Sequence, residues 1–260
     1  MNLYQSIEYT VKERIAYITL NRPDKRNALN DVLLIELKDA ILRAENTALI
    51  KVVVLNANGP VFCAGADLEY IRKMQAYTLE ENMADSNVMA EVFQLIYRSS
   101  KVFIAQVEGH AIAGGCGLMT VCDFAFVVPE AQIGYTEARI GFVPAIVMVF
   151  LLRKIGETRA KELLLSADLI SADKALRYDL INNIIPAEEI QGYVYQFATR
   201  LCLQNSAASM QLTKKMAADL PDLPLNNALN FAAKMNAYAR ANDDCKRGIQ
   251  AFLNKEKITW

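Results

Sequence analysis

Metal-binding and disulfide-forming residues are scarce in this chain of 260 residues. It contains one histidine and five cysteines, and no two cysteines show the C-x-x-C spacing of zinc and redox motifs. An odd and scattered set of cysteines also argues against a disulfide framework. We therefore expect no metal site and a reduced, cytoplasmic compartment.

An excess of charge of one sign and long apolar runs are lacking as well. The chain has 28 Lys and Arg against 29 Asp and Glu, which gives a formal net charge of -1. This balance disfavours nucleic acid or an anionic membrane surface as the main partner. The longest apolar candidate, 141–152, falls short of the roughly 18 residues of a membrane span. The N-terminus has no apolar signal core, so we expect a protein without nucleic-acid or membrane partners.

Strand-like and helix-like segments alternate over the first two-thirds of the chain, which is typical of an α/β fold. Asn30 is a candidate N-cap for a helix over 31–46, whose apolar residues follow helical spacing. Beyond Gly156 the pattern is mostly helical, with one short strand at 180–185. The strands predicted before that point are 6–10, 15–20, 50–56, 102–107 and 124–128.

A glycine-rich stretch, 110–118, stands between an apolar strand at 101–107 and a short helical segment. Such a turn can direct backbone N–H groups into a cavity, and the positive end of the helix dipole adds to their effect. Small residues after a strand also simply permit close packing. A dinucleotide site is disfavoured, because Gly115 and Gly117 are followed by Thr120 where the third glycine of that fingerprint belongs.

Several segments, taken together and in order, resemble the enoyl-CoA hydratase/isomerase (crotonase) superfamily. They are VFCAGAD at 61–67, VEGHAIAGGCGL at 107–118, AQIGYTE at 131–137 and IGFVP at 140–144, with LNRPDKRNA at 20–28, AKELLL at 160–165 and RGIQAFL at 247–253. The resemblance implies a crotonase spiral of ββα units over 1–200, which holds the acyl-CoA site. It also implies a helical trimerisation region over 201–260 and a homotrimer or hexamer.

The resemblance also implies roles for individual residues. The N–H groups of Ala66 and Gly114 would form an oxyanion hole for the thioester oxygen, and Glu137 would transfer a proton. Coenzyme A is part of the substrate, so no separate cofactor is implied. The implied coenzyme A contacts are Lys25, Arg26, Ala28, Ala64, Asp67 and Leu68, with Phe252 and Lys255 on the last helix.

Two departures from the family pattern leave the reaction open. The two-glutamate hydratases have their first glutamate three residues after the oxyanion glycine, where this chain has Gly117; the second is present as Glu137. A single carboxylate suits a Δ3,Δ2-enoyl-CoA isomerase. A hydratase would need one-carboxylate chemistry or help from Glu108, Asp123 or Tyr135. The second departure is AIVMVF at 145–150, where family members have glycines, which suggests a drier acyl pocket.

The overall resemblance favours hydration of a short or branched 2-enoyl-CoA, of the methylglutaconyl-CoA kind, with isomerisation as the alternative. A decarboxylase or hydrolase is compatible with the same scaffold. A non-catalytic acyl-CoA-binding protein is the alternative of another class.

Overall fold

A computed structural model describes residues 4–260, in which the chain forms ten β-strands and ten α-helices. The strands are β1 Ile7–Lys12, β2 Ile15–Leu20, β3 Val52–Ala57, β4 Val61–Cys63, β5 Val102–Val107, β6 His110–Ile112, β7 Phe124–Val127, β8 Gln132–Gly134, β9 Ile170–Ser171 and β10 Asn183–Ile184. The helices are α1 Asp31–Glu45, α2 Leu68–Met74, α3 Leu79–Arg98, α4 Gly114–Val121, α5 Ala145–Ser166, α6 Ala172–Arg177, α7 Ile190–Gln204, α8 Ala207–Asp219, α9 Leu225–Ala241 and α10 Asp243–Leu253.

Two sheets organise the molecule. The larger has the order β1-β2-β3-β5-β7-β10, with all neighbours parallel except the β1–β2 hairpin. The smaller has the order β4-β6-β8-β9, with β9 antiparallel at its edge. From β3 to β8, successive strands go alternately to the larger and the smaller sheet, and each pair is followed by helix, as in β5-β6-α4 and β7-β8-α5. This is the predicted spiral of ββα units.

Burial explains why these segments form the elements they do. All six residues of β5 are buried, as expected for a parallel strand covered on both faces. Helix α1 buries the stripe Leu33, Leu34, Leu37, Ala40, Ile41 and Ala44, and the Asn30 side chain accepts a hydrogen bond from Leu33 N. That cap and the helix were predicted from the sequence and are confirmed.

Other boundaries differ from the predictions. Most of the apolar segment 141–152 is helical and forms the first part of α5, from Ala145. The non-helical Gly156, with φ 76° and ψ 169°, separates this part from the second, which agrees with the helical pattern predicted beyond Gly156. The strand predicted over 180–185 is reduced to Asn183–Ile184, because only these two residues pair with β7. The polar segment 68–98 forms two helices, and a capping box of Thr78 and Glu81 starts the second.

Helix α8 is attached to the core by partly buried polar contacts. Lys214 on α8 donates to the carbonyls of Ile96 and Lys101 and pairs with Asp123 at 2.7 Å. Helix α9 has no buried residue. An oligomerisation role for 201–260, and a boundary at 200, remain predictions. Residues 1–3 lie outside the described residues. They belong to the predicted spiral over 1–200 and to the N-terminus, for which no apolar signal segment was predicted.

Candidate active site

The three residues predicted to perform the chemistry follow the carboxyl ends of three neighbouring strands. Strands β4, β6 and β8 are adjacent and parallel. Ala66 comes shortly after β4, Gly114 after β6 and Glu137 after β8. The carboxyl ends of parallel strands meet at one edge of a sheet, which is where α/β proteins commonly bind ligands. A direct hydrogen bond of 2.7 Å from Ala113 N to Gly134 O joins two of these turns.

The backbone around Ala66 directs its N–H away from the neighbouring segment. Leu29 donates to Gly65 O at 2.7 Å and accepts from Asp67 N at 2.8 Å, so the two peptide groups that flank Ala66 are occupied. In the described residues the N–H of Ala66 itself has no acceptor. Gly65 has φ +90°, and a Cβ there would lie 2.8 Å from the Ala113 Cβ. Only glycine therefore fits beside Ala66.

Gly114 is the first residue of α4, where backbone N–H groups have no acceptor inside the helix. Among residues 4–260 none accepts from Gly114 N. The preceding Ala113 has φ 53° and ψ -125°, a strained conformation for a residue with a Cβ. At the next residue, Gly115, a Cβ would meet Cys63 O at 2.3 Å, so a side chain is excluded. Each of the two predicted donors, Ala66 and Gly114, thus directly follows a residue with positive φ.

One oxygen of the Glu137 carboxylate lacks a compensating contact. This atom, Oε2, is buried and has no hydrogen-bond partner in the described part of the chain. Burial without a partner disfavours the charged form and raises the pKa of Glu137 above its ordinary value. Two residues earlier, the fully buried Tyr135 hydroxyl lies 2.6 Å from the Thr120 hydroxyl on α4. A carboxyl group with a raised pKa in such a place is suited to giving and taking a proton.

The position of the missing glutamate is closed by apolar side chains. Gly117 lies one turn after Gly114, on the same face of α4. A Cβ at Gly117 would lie 2.3 Å from Val147 Cγ1 and 2.8 Å from Phe93 Cε2. Phe150 and Tyr97 pack behind this contact, with ring centroids 5.2 Å apart. The sequence had indicated bulky residues at 145–150, but the contribution of Phe93 from α3 was missed.

The three proposed substitutes for the missing acid are engaged elsewhere. Asp123 lies beyond the far end of α4, where it accepts from Phe103 N and pairs with Lys214. Glu108 precedes β6, at the opposite end of that strand from Gly114, and accepts from Gln106 and Gln191. Tyr135 is the nearest in sequence to Glu137, but its hydroxyl is committed to Thr120.

No thiol or metal site offers an alternative centre in the part of the chain that the structure describes. Burial raises the pKa of the Cys63 and Cys116 thiols to about 12, so both stay protonated and unreactive at neutral pH. Among residues 4–260, His, Cys, Asp and Glu form no group of three that could hold a metal ion. In the same range, no helix combines the length and apolar character needed to span a membrane.

The residues predicted to contact coenzyme A fall into an exposed and a buried group. Lys25, Arg26 and Leu68 are exposed, and Lys25 pairs with Glu69 at 2.8 Å. Ala28 and Asp67 are buried, and Ala64 is half-buried and donates to Arg26 O. The Asp67 carboxylate caps α2 through Glu69 N and pairs with Arg22 at 2.8 Å. The structure therefore brings the segments 25–28 and 64–68 side by side.

Phe252 and Lys255 lie apart from this group in the chain. Helix α10, which ends just before Lys255, packs mainly against α8 and α9. Phe252 is 81% exposed. Their predicted contact with the nucleotide stays a prediction.

Comparison with known proteins agrees with this architecture. The model of the enoyl-CoA hydratase/isomerase family matches residues 10–260. A provisionally named enoyl-CoA hydratase of Thermus thermophilus is 36% identical over 244 residues, 94% of this chain and 96% of that protein. The crotonyl-CoA hydratase of Syntrophomonas wolfei is 32% identical over 259 residues, 99% and 98% of the two chains. The crystal structure of an enoyl-CoA hydratase from Shewanella pealeana superposes with a TM-score of 0.94 at 27% identity, covering 99% and 97%.

The chain belongs to the enoyl-CoA hydratase/isomerase family. The resemblance stated from the sequence motifs and the predicted crotonase fold are thereby confirmed. The prediction of an enzyme of the hydratase or isomerase type is confirmed at the level of the family.

Proposed function

We propose that this chain stabilises the enolate of an enoyl-CoA thioester and moves a proton on it with Glu137. The observation that supports this most directly is the convergence at one sheet edge of two N–H groups without acceptors and one buried carboxylate oxygen without a partner. Donors that are fixed before the reaction and aimed at developing negative charge need no reorganisation. The loss of one such donor lowers the rate by about 10²–10³-fold.

For the reaction itself we propose hydration of a short or branched 2-enoyl-CoA, of the methylglutaconyl-CoA kind. The hydroxyl of one water adds to C3, and a proton of that water reaches C2 through Glu137, so that no second acid is required. The names of the similar proteins, among them a crotonyl-CoA hydratase, support this reaction. The closed wall at Val147 and Phe93 supports a short or branched acyl group.

Coenzyme A contacts complete the proposal. Lys25 and Arg26 are exposed cations suited to the nucleotide phosphates, provided that Lys25 releases Glu69. Ala28, Ala64, Asp67 and Leu68 would line the thioester arm, and the Asp67 carboxylate, bonded to Arg22, would hold the two segments together there. Phe252 and Lys255 would reach the nucleotide from α10. No separate cofactor is proposed.

A second candidate, Δ3,Δ2-enoyl-CoA isomerisation, is favoured by the apolar filling beside Gly117. In that reaction Glu137 takes a proton from C2 of a 3-enoyl-CoA and returns it to C4, while the double bond moves to C2–C3. No water has to be held, which suits a wall made of Val147 and Phe93.

Incubation with a panel of 2-enoyl- and 3-enoyl-CoAs of increasing chain length, followed by mass spectrometry, separates these reactions. A gain of one water identifies hydration, and an unchanged mass with a shifted retention time identifies isomerisation. Glu137→Gln should lower kcat by about 10²–10⁴-fold. Glu157→Gln, an exposed glutamate paired with Lys161, is the matched control. Turnover that survives Glu137→Gln contradicts the role of Glu137, whereas binding of coenzyme A without any turnover by the wild-type protein supports a non-catalytic binding protein.

A further inference from the structure

The loop between β2 and α1 adopts a strained conformation beside the proposed oxyanion hole. Arg26 and Asn27 have φ of 50° and 53°, in the left-handed region that residues with a Cβ seldom adopt. Two such residues in succession cost free energy, of order 1–3 kcal/mol each, and persist only where the surroundings enforce them. Neither residue has a catalytic group that would explain this strain.

The Asn27 side chain holds the loop in place. It is fully buried, and each of its polar atoms is satisfied by a backbone group. Its Oδ1 accepts from Arg22 N at 2.8 Å, and its Nδ2 donates to Asn58 O at 2.9 Å and to Val61 O at 2.8 Å. One side chain thus joins the loop to the two ends of the turn that precedes β4.

Arg22 forms a second connection. Its Nη1 donates to Ala28 O at 2.5 Å, and its Nη2 pairs with the buried Asp67 carboxylate at 2.8 Å. Ala28 and Asp67 stand on the two segments that run side by side. The guanidinium therefore spans them, and because it is rigid and planar it sets their separation.

The segment held by these two side chains is the one that pairs with the Ala66 turn. Ala64 N donates to Arg26 O, Leu29 N donates to Gly65 O and Asp67 N donates to Leu29 O, at 3.1, 2.7 and 2.8 Å. This ladder occupies the peptide groups on either side of Ala66 and leaves the Ala66 N–H free to point away from Leu29. The direction of that N–H consequently depends on the position of the 26–29 segment.

We infer that Asn27 and Arg22 are positioning residues that aim the Ala66 N–H at the thioester oxygen. This inference rests on the proposed function, because the Ala66 N–H is one of the two donors of the proposed oxyanion hole. Hydrogen bonds depend steeply on angle, so a small rotation of the 65–66 peptide weakens the donor without emptying the site. Displacements of about 1 Å in catalytic groups can lower rates by about 10²-fold.

The test uses the carbonyl stretch of bound thioester as its main readout. Crotonyl-CoA labelled with ¹³C at C1 is bound at saturation in the Glu137→Gln background, and the spectrum is recorded before the slowed turnover consumes it. Asn27→Gly, which accepts positive φ without strain, and Arg22→Lys are then compared with that background. We expect the downshift of the carbonyl frequency relative to free thioester to be at least halved in Asn27→Gly and reduced in Arg22→Lys. In the otherwise wild-type chain, kcat should fall about tenfold to a hundredfold with the Kd of coenzyme A within about threefold.

A control separates aiming from general loss of stability. Ser99→Ala removes a hydrogen bond of 2.6 Å to Glu45, at the C-terminal ends of α3 and α1 and not on the segments 22–29 or 58–67. It should lower Tm while leaving the carbonyl frequency unchanged. A full downshift in folded Asn27→Gly and Arg22→Lys would overturn the inference. No downshift in the Glu137→Gln protein itself would instead overturn the oxyanion hole of the proposed function. Should Asn27→Gly fail to fold, Arg22→Lys decides alone.

Discussion

At the scale of single residues, Glu137 is held where its charge is poorly solvated. Its folded-state pKa is raised by burial, whereas in the unfolded chain the carboxyl has its ordinary value. The folded state therefore binds more protons than the unfolded state between the two pKa values. The contribution of Glu137 to stability must accordingly decrease as the pH rises through that window. Neutral pH is where the enzyme would need the carboxylate, so function and stability oppose each other at this residue.

Glu137→Gln should consequently stabilise the protein at pH 7. The amide has the same shape and no charge to desolvate. The Tm of the variant should therefore be higher than that of the wild type at pH 7; in a chain of this size each kcal/mol of stability corresponds to about 2–4 °C. The difference in Tm between variant and wild type, measured from pH 4 to 8 at fixed protein concentration, should shrink as the pH falls below the raised pKa. A Tm difference that is independent of pH would contradict the buried, charged state of Glu137.

At the scale of elements, the packing of α5 and α3 against α4 leaves no room for a side chain at Gly117. Helix α4 runs from the proposed oxyanion hole into the core, and all eight of its residues are buried. Its Gly117 faces Val147, in the first turn of α5. The bulk of Val147 thus occupies the place that a longer residue at 117 would need.

Gly117→Ala should therefore destabilise the protein by about 1–3 kcal/mol through overpacking against Val147. Val147→Ala leaves a cavity and should cost roughly 2 kcal/mol. In the double variant the methyl group introduced at position 117 enters that cavity. The double variant should therefore lose about 1 kcal/mol less stability than the sum of the losses of the two single variants. Urea unfolding at one protein concentration measures all the variants.

The two single variants and the double variant form a double-mutant cycle, and the half-exposed Val149 provides its control. Val149→Ala combined with Gly117→Ala should show simple additivity, because Val149 does not face Gly117. Additive losses in the Val147 cycle would mean that the two residues do not share the space that the structure assigns to them.

At the scale of the whole molecule, the sequence predicted those features that local patterns encode. The helical spacing of apolar residues predicted α1, and Asn30 predicted its start. An apolar run predicted β5. The motif order predicted the fold and the convergence of Ala66, Gly114 and Glu137. Contacts between distant segments could not be predicted from these local patterns. Phe93 and Val147 meet at Gly117 only in the folded chain, and the burial of Asn27 depends on Asn58 and Val61. Two adjacent left-handed residues in a loop of ordinary composition left no signal in the sequence.

The C-terminal helices leave apolar surface uncovered in the single chain. Leu225, Leu229 and Tyr238 on α9 are 74%, 60% and 65% exposed, and Phe252 and Leu253 on α10 are 81% and 68% exposed. A groove of about 380 Å³ opens between α8, α9 and α10. Apolar surface of this extent is typical of an interface. It agrees with the prediction of a homotrimer or hexamer made from the resemblance.

We accordingly expect the protein to sediment as a trimer or hexamer, and Leu229→Glu to shift it towards the monomer. A buried carboxylate without a partner opposes association, whereas in the single chain the same side chain is solvated at little cost. Leu165→Glu, at a leucine on α5 that is 77% exposed, provides the comparison. Sedimentation velocity over a range of concentrations measures the change. Wild-type protein that stays monomeric at every concentration would show that α9 does not associate with other copies of the chain.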